Sequence, residues 1–457
     1  MKKIRLSFTA ILIIVAVFSM LSIVGCDLFG EEDDDPVAIM VPDDYSTIQA
    51  AIDAASDGDT VLVAQGTYTE NLDFRGKRIT VSSIGFSTNP AVVAATIIDG
   101  GGNGRVVVFN SGETNESVLQ GFTITGGYRN RSSGAGILVS NSSSPIIRNN
   151  VIKDNVADSV NAFGGGAYVT GESEPIFEFN TFIGNKASGR GAGIHVVNGS
   201  DATIRDNHFE GHIGAPAIQV GGASGEDATA RIQNNTIENN NEAQSSVTGG
   251  IYLTGAGTSA MITLNSITNN KAAGDYNAGG IAVHGGAHAT IAFNTITGND
   301  ATNGGQHKAG GIQFRGGNQK LSDITDNTIS GNKPGGFYIM SGTLRIARNT
   351  ITENEASRGG GIEVRSWGTA VQVAINDNTI SNNTAQDGGG IALADSDAIT
   401  ATITNNIISG NEATGGHNPG KGGAIYINGP TVSLFGNTIT GNHSAWRGGG
   451  IYFWTTG

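Results

Sequence analysis

The chain has 457 residues, of which 70 are glycine and one is cysteine, and a formal net charge of −14. With a single cysteine no disulfide can form within the chain, so the fold must be stable without one. The negative charge argues against nucleic acid or an anionic membrane surface as a binding partner.

Residues 1–25 have the pattern of a secretory signal peptide. Lys2, Lys3 and Arg5 precede an apolar run from residue 10 to residue 23, which is too short to span a membrane. The segment Ile23-Val24-Gly25-Cys26 at its end resembles a bacterial lipobox. The resemblance implies that Cys26 is lipidated, becomes the mature N-terminus and holds the chain on a membrane of the bacterial cell envelope.

Residues 26–41 are predicted to form a tether. They contain the acidic run Glu31-Glu32-Asp33-Asp34-Asp35, which is typical of a solvated spacer. An acidic run at this place also resembles the surface-export signals of some Gram-negative lipoproteins, whereas Asp27 resembles the inner-membrane retention residue of others. We expect the outer membrane or the cell surface rather than the inner membrane.

Residues 42–457 are predicted to form one repetitive domain that begins with a capping helix over about residues 46–55. Ile48, Ala51, Ile52 and Ala55 would share one face of that helix. An amphipathic helix here would cover the backbone and the core that the first repeat otherwise exposes.

The domain is built on the six-residue pattern Asn-x-apolar-x-x-Asn. Its first asparagine recurs at Asn150, Asn180, Asn207, Asn235, Asn265, Asn294, Asn327, Asn349, Asn378, Asn406 and Asn437. The second asparagine follows five residues later each time, except that His212 replaces it once. The intervals between first asparagines run from 22 to 33 residues, a period that indicates a solenoid, with regular repeats over about residues 119–457.

Each repeat is predicted to contain three short strands. Apolar residues alternate with variable ones around both asparagines and again after a Gly-Ile pair, as in Ile362-Glu363-Val364, and period two is the signature of a strand. Leucine is too scarce for a leucine-rich repeat, and no insert reads as a helix. The sequence therefore predicts an all-β parallel β-helix whose coils stack at about 4.8 Å.

The asparagines suit the corners of such coils for two reasons. Asparagine tolerates the left-handed backbone conformation that a sharp bend needs. Its amide can also bond to the same amide in the coils above and below, which predicts a ladder of stacked asparagines. The glycine before each inward isoleucine removes the Cβ where the chain turns back.

The start of this domain resembles a known superfamily. The capping helix and the segments Thr60–Val63, Gly66–Asn71 and Gly76–Val81 look like the cap and first coils of the pectate-lyase-like superfamily, and Leu119–Ile124 looks like one of its less regular repeats. The resemblance covers about residues 42–457. It implies a right-handed parallel β-helix.

The later repeats are also similar to those of chlamydial polymorphic outer-membrane proteins. Phe177-Glu178-Phe179-Asn180 and Gly422-Gly423-Ala424-Ile425 match the pattern of those repeats literally. The last residues, from Phe453 to Gly457, stop in the middle of a coil. We therefore expect the sequence to be incomplete at its C-terminus.

The catalytic motifs of the superfamily match poorly. Gly66–Glu70 is similar to one element of pectin methylesterases, but their later catalytic motifs have no counterpart; of the polygalacturonase motifs only Asp43-Asp44 occurs. A calcium-dependent lyase needs clustered acidic residues, and the outward positions beside the core isoleucines supply only Glu363. His284 and His288 would form a metal pair only on a helix. We therefore predict no cofactor and no metal.

The Gly-Ile strand also has an outward face, where aromatic side chains recur. Its first outward position holds Tyr168, His195, Gln219, Tyr252, Ala282, Gln313, Tyr338, Glu363, Ala392, Tyr426 and Tyr452, and the next adds His284, Arg315, Arg365 and Trp454. Aromatic rings among polar side chains suit sugars, which present an apolar face and hydroxyl edges. The alternative is that tyrosine is simply favoured on exposed strands, where it packs on its neighbours.

Two functions follow as hypotheses. The first is a lipid-anchored surface protein that binds polysaccharide or a host or matrix ligand through Tyr168, His195, Tyr252, Gln313, Tyr338, Tyr426 and Tyr452. The second is a polysaccharide lyase or glycoside hydrolase with an unfamiliar active site. Its candidate residues are His284, Arg315, Glu363 and Arg365, on coils close enough for the side chains to converge.

Overall fold

The computed structural model describes residues 36–222, 225–241, 248–303, 307–316, 320–366, 368–394, 396–415 and 420–454. The predicted signal peptide, the lipidation site Cys26 and the acidic run lie outside the described residues. Residues 36–454 contain the capping helix and the stacked coils. Within the described ranges, no helix is long and apolar enough to cross a membrane.

The capping helix, α1, spans Ile48–Ala54 and lies within the predicted 46–55. Thr47 caps it by accepting a hydrogen bond from Ala50 N, and its buried face holds Ile48, Ala51 and Ile52. The carboxylate of Glu70 accepts hydrogen bonds from Ile48 N and Gln49 N, both at 2.9 Å. The Gly66–Glu70 element that is similar to pectin methylesterases therefore contributes a structural contact to the helix N-terminus.

A second helix, α2, spans Pro90–Ala95 and follows a 3₁₀ turn at Phe86–Thr88. The sequence analysis found no helical insert, and in this segment it was wrong. Asn89 caps α2 by accepting a hydrogen bond from Ala91 N at 3.0 Å, and Pro90 occupies the first turn. Six residues are too few to show a helical period, but an asparagine cap followed by proline is a helix-start signal.

Three long parallel sheets, named A, B and C here, run the length of the coil stack. Sheet A contains, in spatial order, Ala38–Val41, Thr60–Val63, Thr80–Ser83, Val118–Gln120, Ile146–Arg148, Ile176–Glu178, Asp201–Arg205, Thr229–Gln233, Ser259–Thr263, His288–Ala292, Leu321–Thr325, Gly342–Ala347, Val371–Asn376, Ile399–Thr404 and Thr431–Phe435. Sheet B contains Gly66–Thr69, Thr96–Asp99, Thr123–Thr125, Val151–Lys153, Thr181–Ile183, His208–Glu210, Thr236–Glu238, Ser266–Thr268, Thr295–Thr297, Thr328–Ser330, Thr350–Thr352, Thr379–Ser381, Ile407–Ser409 and Thr438–Thr440. Sheet C contains Leu72–Asp73, Val107–Phe109, Ile137–Val139, Ala167–Val169, Ile194–Val196, Ile218–Val220, Ile251–Thr254, Ile281–His284, Ile312–Arg315, Phe337–Ile339, Ile362–Arg365, Ile391–Ala394, Ile425–Asn428 and Ile451–Trp454.

Each regular coil runs from sheet A through sheet B to sheet C, with an asparagine at each end of the sheet B strand except where His212 replaces the second one. Short strands also pair in the loops between sheets B and C, at Tyr128–Arg129, Val156–Ala157 and Lys186–Ala187, at Lys271–Ala273 and Asp300–Asn303, and at Thr384–Ala385, Glu412–Ala413 and His443–Ser444. The predicted all-β right-handed parallel β-helix is confirmed.

The core is a stack of isoleucines and other apolar residues in register. In sheet A, Ile204 pairs with Ile232, Ile232 with Ile262, and Ile262 with Ile291, and all four are buried. Identical branched side chains therefore lie directly above one another, and their burial supplies the main favourable free energy of folding.

The asparagines form two ladders along the edges of sheet B. In the first, Oδ1 of Asn378 accepts hydrogen bonds from N and Nδ2 of Asn349 at 2.9 and 3.0 Å. Nδ2 of Asn349 also donates to Ile324 O in the preceding coil at 2.9 Å. The same pattern links Asn150 to Asn437, and the second asparagines form a parallel ladder that ends at Asn442.

The left-handed residue at each corner is the one before the ladder asparagine, not the asparagine itself. The positive φ angles lie at Asn149, Phe179, Asp206, Asn234, Leu264, Phe293, Asp326, Arg348, Asp377, Asn405 and Gly436. The conformational reason given for the asparagines was therefore wrong. They are needed at the corners because their amides satisfy buried backbone groups of two neighbouring coils.

Candidate functional site

The outward face of sheet C is largely covered, which the sequence analysis did not expect. Of the first outward positions, Tyr168, Tyr252, Glu363 and Tyr452 are half-buried, while His195, Gln219, Ala282, Gln313, Tyr338, Ala392 and Tyr426 are buried. These outward positions therefore do not form a continuous exposed row of side chains.

The loops that lead from sheet B into sheet C cover this face. Several of them turn back over the strand that they enter, through a glycine with positive φ such as Gly164 (64°) or Gly191 (53°). A Cβ on Gly164 would lie 2.7 Å from the Cβ of Tyr168, and one on Gly191 would lie 2.6 Å from the Cβ of His195. Contacts this close admit only glycine, so the glycine-rich segments seat the loops on the outward side chains.

Two of these loops are shorter than the others and leave an opening beside them, although Gln219 and Tyr338 on their strands stay buried. The loop between the second corner of a coil and its sheet C strand is 333–336 in one coil and 213–217 in another, four and five residues. In the other coils from Asn155 onward it has at least seven residues, as at 355–361. A pocket lies beside each short loop and is lined by its proline, Pro334 or Pro216.

The pocket beside Pro334, named the basic cleft here, has a volume of about 340 Å³. Its lining consists of His307, Lys308, Pro334, Gly335, Phe337, Tyr338, Ala356, Ser357, Arg358, Glu363 and Arg365. Three cationic side chains therefore meet one carboxylate in this lining, in a chain whose net charge is −14. Asp275 lies close enough to act on the charges of His307 and Lys308.

Tyr338 and His307 form the polar centre of the basic cleft. Nδ1 of His307 lies 2.7 Å from the hydroxyl of Tyr338, which also bonds to Arg365. Burial, and then the charge of Glu363, raise the pKa of Tyr338, while burial and then the charge of Arg365 lower the pKa of His307. At neutral pH the tyrosine therefore keeps its proton, and the histidine that shares this hydrogen bond is uncharged.

The four candidate catalytic residues do not converge. Glu363 and Arg365 line the basic cleft, but His284 and Arg315 do not. His284 is buried with Nε2 2.7 Å from Oε1 of Gln313, and burial lowers its pKa to about 4. The guanidinium of Arg315 lies 3.6 Å over the ring of Tyr276. His284 is therefore held on the covered face, whereas Arg315 is exposed and rests on Tyr276 outside the lining of the cleft.

The sequence analysis missed three residues of the basic cleft, His307, Lys308 and Arg358, because they lie in loops without a strand period. A signal was present nonetheless. Four residues before the first residue of the sheet C strand, a basic residue recurs at Arg190, Lys308, Arg358, Lys421 and Arg447. The structure stacks some of these positions in neighbouring coils, as in the pairing of Lys421 with Arg447.

The pocket beside Pro216, named the polar pocket here, has a volume of about 240 Å³. Its lining consists of Gly189, Arg190, Pro216, Gln219, Gly222, Thr248, Tyr252, Thr254 and Asn277. Nη1 of Arg190 forms an ion pair with Oε2 of Glu226 at 2.5 Å. The charge of Arg190 in this pocket is therefore balanced by Glu226.

The remaining predicted binding residues lie in ring clusters on the same face. The ring of His195 lies 5.6 Å from that of Tyr168, its Nε2 lies 3.1 Å from Gly221 O, and burial lowers its pKa to about 3. Tyr426 and Tyr452 stack at 5.9 Å near the C-terminal end. Among the described residues, no group of three His, Cys, Asp or Glu side chains could hold a metal ion.

Comparison with known protein families identifies the family of the chain. The family model described as "Right handed beta helix region" matches residues 56–209, 192–398 and 249–457. Comparison with curated proteins gives no match.

Several solved structures have a similar course of the chain. PfbA, a surface adhesin of Streptococcus pneumoniae, is 14% identical with a TM-score of 0.39, over 91% of this chain and 93% of the adhesin. The A-module of the mannuronan C-5 epimerase AlgE6 of Azotobacter vinelandii is 17% identical with a TM-score of 0.32, over 93% and 97%. An alginate lyase of a Paenibacillus species is 12% identical with a TM-score of 0.22, over 88% and 99%. Likeness at this level carries no information on function, whereas the family matches span the coil stack: the chain belongs to the right-handed β-helix family.

Proposed function

We propose that the chain is a lipid-anchored protein of the bacterial cell surface that binds an acidic polysaccharide in the basic cleft. The observation that carries the proposal is the lining of that cleft. Lys308, Arg358 and Arg365 supply positive charge, and the buried Tyr338 holds the polar centre of the cleft through its hydroxyl. Arginine recognises carboxylates and sulfates through paired hydrogen bonds.

The remainder of the proposal rests on the sequence. A lipid on Cys26 would fix the chain at a membrane, and the acidic segment 31–35 would hold the coil stack away from it. The coil stack then presents the basic cleft to polymers outside the cell. A protein whose overall charge is negative repels acidic polymers elsewhere on its surface, so binding concentrates at this opening.

The test is retention of the soluble chain, produced without residues 1–25 and with Cys26→Ser, on a panel of acidic and uncharged polysaccharides. We expect retention on an acidic polymer that weakens with salt. Arg358→Ala should lower the affinity about tenfold, since each such pair contributes about 1.5 kcal/mol. Arg231→Ala is the matched control, because this arginine pairs with Asp201 on the outer side of sheet A. Equal loss in both variants, or no retention on any acidic polymer, would refute the proposal.

A second function, cleavage of the polysaccharide, is favoured by the hydrogen bond between Tyr338 and His307. A base in the cleft could remove the proton beside a sugar carboxylate that an arginine neutralises, which breaks the chain by elimination and leaves a double bond. Glycoside hydrolysis commonly uses two carboxylates, and Glu363 is the one carboxylate among the described residues of the lining. Elimination therefore fits better than hydrolysis.

A single variant, Tyr338→Phe, distinguishes binding alone from cleavage of the polymer. Tyr338→Phe keeps the ring and removes the hydroxyl. If the cleft only binds, wild type and variant leave the polymer intact. If it cleaves, unsaturated ends accumulate with the wild type, measured by their ultraviolet absorbance, and the variant binds without producing them.

A further inference from the structure

We infer that the polar pocket is a second sugar site, for an uncharged residue, and that together with the basic cleft it selects polysaccharides containing both acidic and uncharged sugars. The inference rests on the proposed function, because it takes the basic cleft as the site of the acidic sugar. Beyond the proposed function, the inference specifies which sugars the bound polysaccharide contains.

The two pockets are built in the same way on the same face. Each opens where the loop into sheet C is shortened to four or five residues, and each has a proline from that loop and a tyrosine from sheet C in its lining. The tyrosines are Tyr338 in the basic cleft and Tyr252 in the polar pocket. The basic cleft and the polar pocket can therefore hold neighbouring parts of one ligand.

The polar pocket differs from the basic cleft in charge. Arg190 is its one cationic lining residue, and its 2.5 Å ion pair with Glu226 balances that charge. The other polar groups of the described lining are hydroxyls and amides, from Gln219, Thr248, Thr254 and Asn277. Such groups pair with sugar hydroxyls, and they offer no net charge to a carboxylate.

Two features show that this lining is suited to a ligand. Thr248 is only 1% exposed, and its hydroxyl has no hydrogen-bond partner among the described residues, so a partner from outside would remove an energetic cost. The ring of Tyr252 packs at 86° against His284, 5.1 Å away, and His284 is bonded to Gln313. The ring is therefore held in place before a sugar arrives, which lowers the entropy lost on binding.

One wall joins the two sites. Asn277 lines the polar pocket, and the ring of its neighbour Tyr276 stacks at 5.3 Å on His307, which lines the basic cleft. Tyr252 is related to Tyr338 through the register partners Ala282 and Gln313. Three coil steps separate the two tyrosines, about 14 Å at the usual strand spacing. A polysaccharide lying along the stack can reach both.

The experiment compares three kinds of polymer on the soluble chain without residues 1–25. Polygalacturonate is acidic throughout, dextran is uncharged, and hyaluronan and gellan contain both acidic and uncharged sugars. We expect at least one mixed polymer to bind about fivefold more tightly than polygalacturonate, the gain given by one ring contact. Tyr252→Ala should remove that gain and leave binding of polygalacturonate unchanged, whereas Tyr252→Phe should keep it.

The controls separate the two proposals. Tyr128→Ala removes an exposed tyrosine from a loop strand outside both linings and should change neither affinity. Arg358→Ala should weaken the binding of every acidic polymer. If polygalacturonate binds as tightly as the mixed polymers, or if Tyr252→Ala binds a mixed polymer like the wild type, the inference is wrong and the proposed function stands. If no acidic polymer is retained, both are wrong.

Discussion

His212 interrupts the second asparagine ladder, and replacing it by asparagine should stabilise the protein. The side chain is fully buried, and neither ring nitrogen has a hydrogen-bond partner of ordinary geometry. In the next rung, Oδ1 of Asn270 accepts hydrogen bonds from N and Nδ2 of Asn240 at 3.2 and 2.8 Å, and Nδ2 of Asn240 donates to Phe209 O. His212 N already donates to Oδ1 of Asn240 at 3.1 Å, so His212→Asn adds the two bonds that Nδ2 makes in this pattern.

The size of the gain follows from those bonds. Two hydrogen bonds at about 0.5–1.5 kcal/mol each would contribute about 1–3 kcal/mol. The smaller amide gives up part of the packing of the imidazole on Phe209, whose ring lies 6.1 Å away, so we expect a net stabilisation of about 1–2 kcal/mol at pH 7.5.

Acid should increase the difference between variant and wild type. Burial lowers the pKa of His212 to about 3 in the folded chain, below the value near 6.5 of an unfolded chain. Below pH 6.5 the unfolded chain therefore takes up a proton that the folded chain does not, and stability is lost as pH falls towards 3. At pH 5 this term amounts to about 2 kcal/mol, which the asparagine variant does not lose.

The assay is urea unfolding of the soluble chain at pH 7.5 and pH 5, with and without His212→Asn. A stack of coils need not unfold in one step. The urea midpoints of variant and wild type are therefore compared, rather than free energies extrapolated to zero urea. A variant that unfolds earlier than the wild type at both pH values would show that the imidazole is better accommodated than its missing partners indicate. An unchanged difference between the two pH values would show that His212 does not titrate as inferred.

The other predictions concern the ladder, the covered face, the anchor and the short loop. Asn378→Ala should lower the free energy of unfolding by about 1–3 kcal/mol, because amides in two coils lose partners, and an unchanged urea midpoint would contradict this. Tyr338→Ala should lower the free energy of unfolding by about 3–5 kcal/mol, because that side chain is 3% exposed; an unchanged urea midpoint would show that the side chain is not buried. Cys26→Ser in the full chain should release it from membranes, and co-sedimentation in high salt would disprove the lipid anchor. Replacing residues 333–336 by the seven residues of 355–361 should cover the basic cleft and abolish retention on acidic polymers, with the circular dichroism spectrum unchanged as the control.

The sequence predicted the coil and its interior well, for a physical reason. Ile262 and Asn265 recur because each coil places the same residue on the residue below it, so the repeat in sequence is the repeat in space. The outward face was predicted less well. Period two assigned Gln313 to the outside of a strand, but it could not show that a loop would bury it. The left-handed Phe293 and Leu264 also follow from the backbone path of the corner, which the apolar pattern does not report.

The position of the basic cleft was nevertheless present in the lengths of the repeats, whereas the polar pocket lies in a repeat of ordinary length, 28 residues from Asn207 to Asn235. Sheets A, B and C take a nearly constant share of every coil, so a short coil has to be short in a loop. The shortest interval, 22 residues from Asn327 to Asn349, contains the four-residue loop that leaves the basic cleft open. In this solenoid the apolar period therefore locates the core, and the shortest repeat locates the basic cleft, because a loop of only four residues leaves an opening beside its strand that the longer loops of the neighbouring coils do not leave.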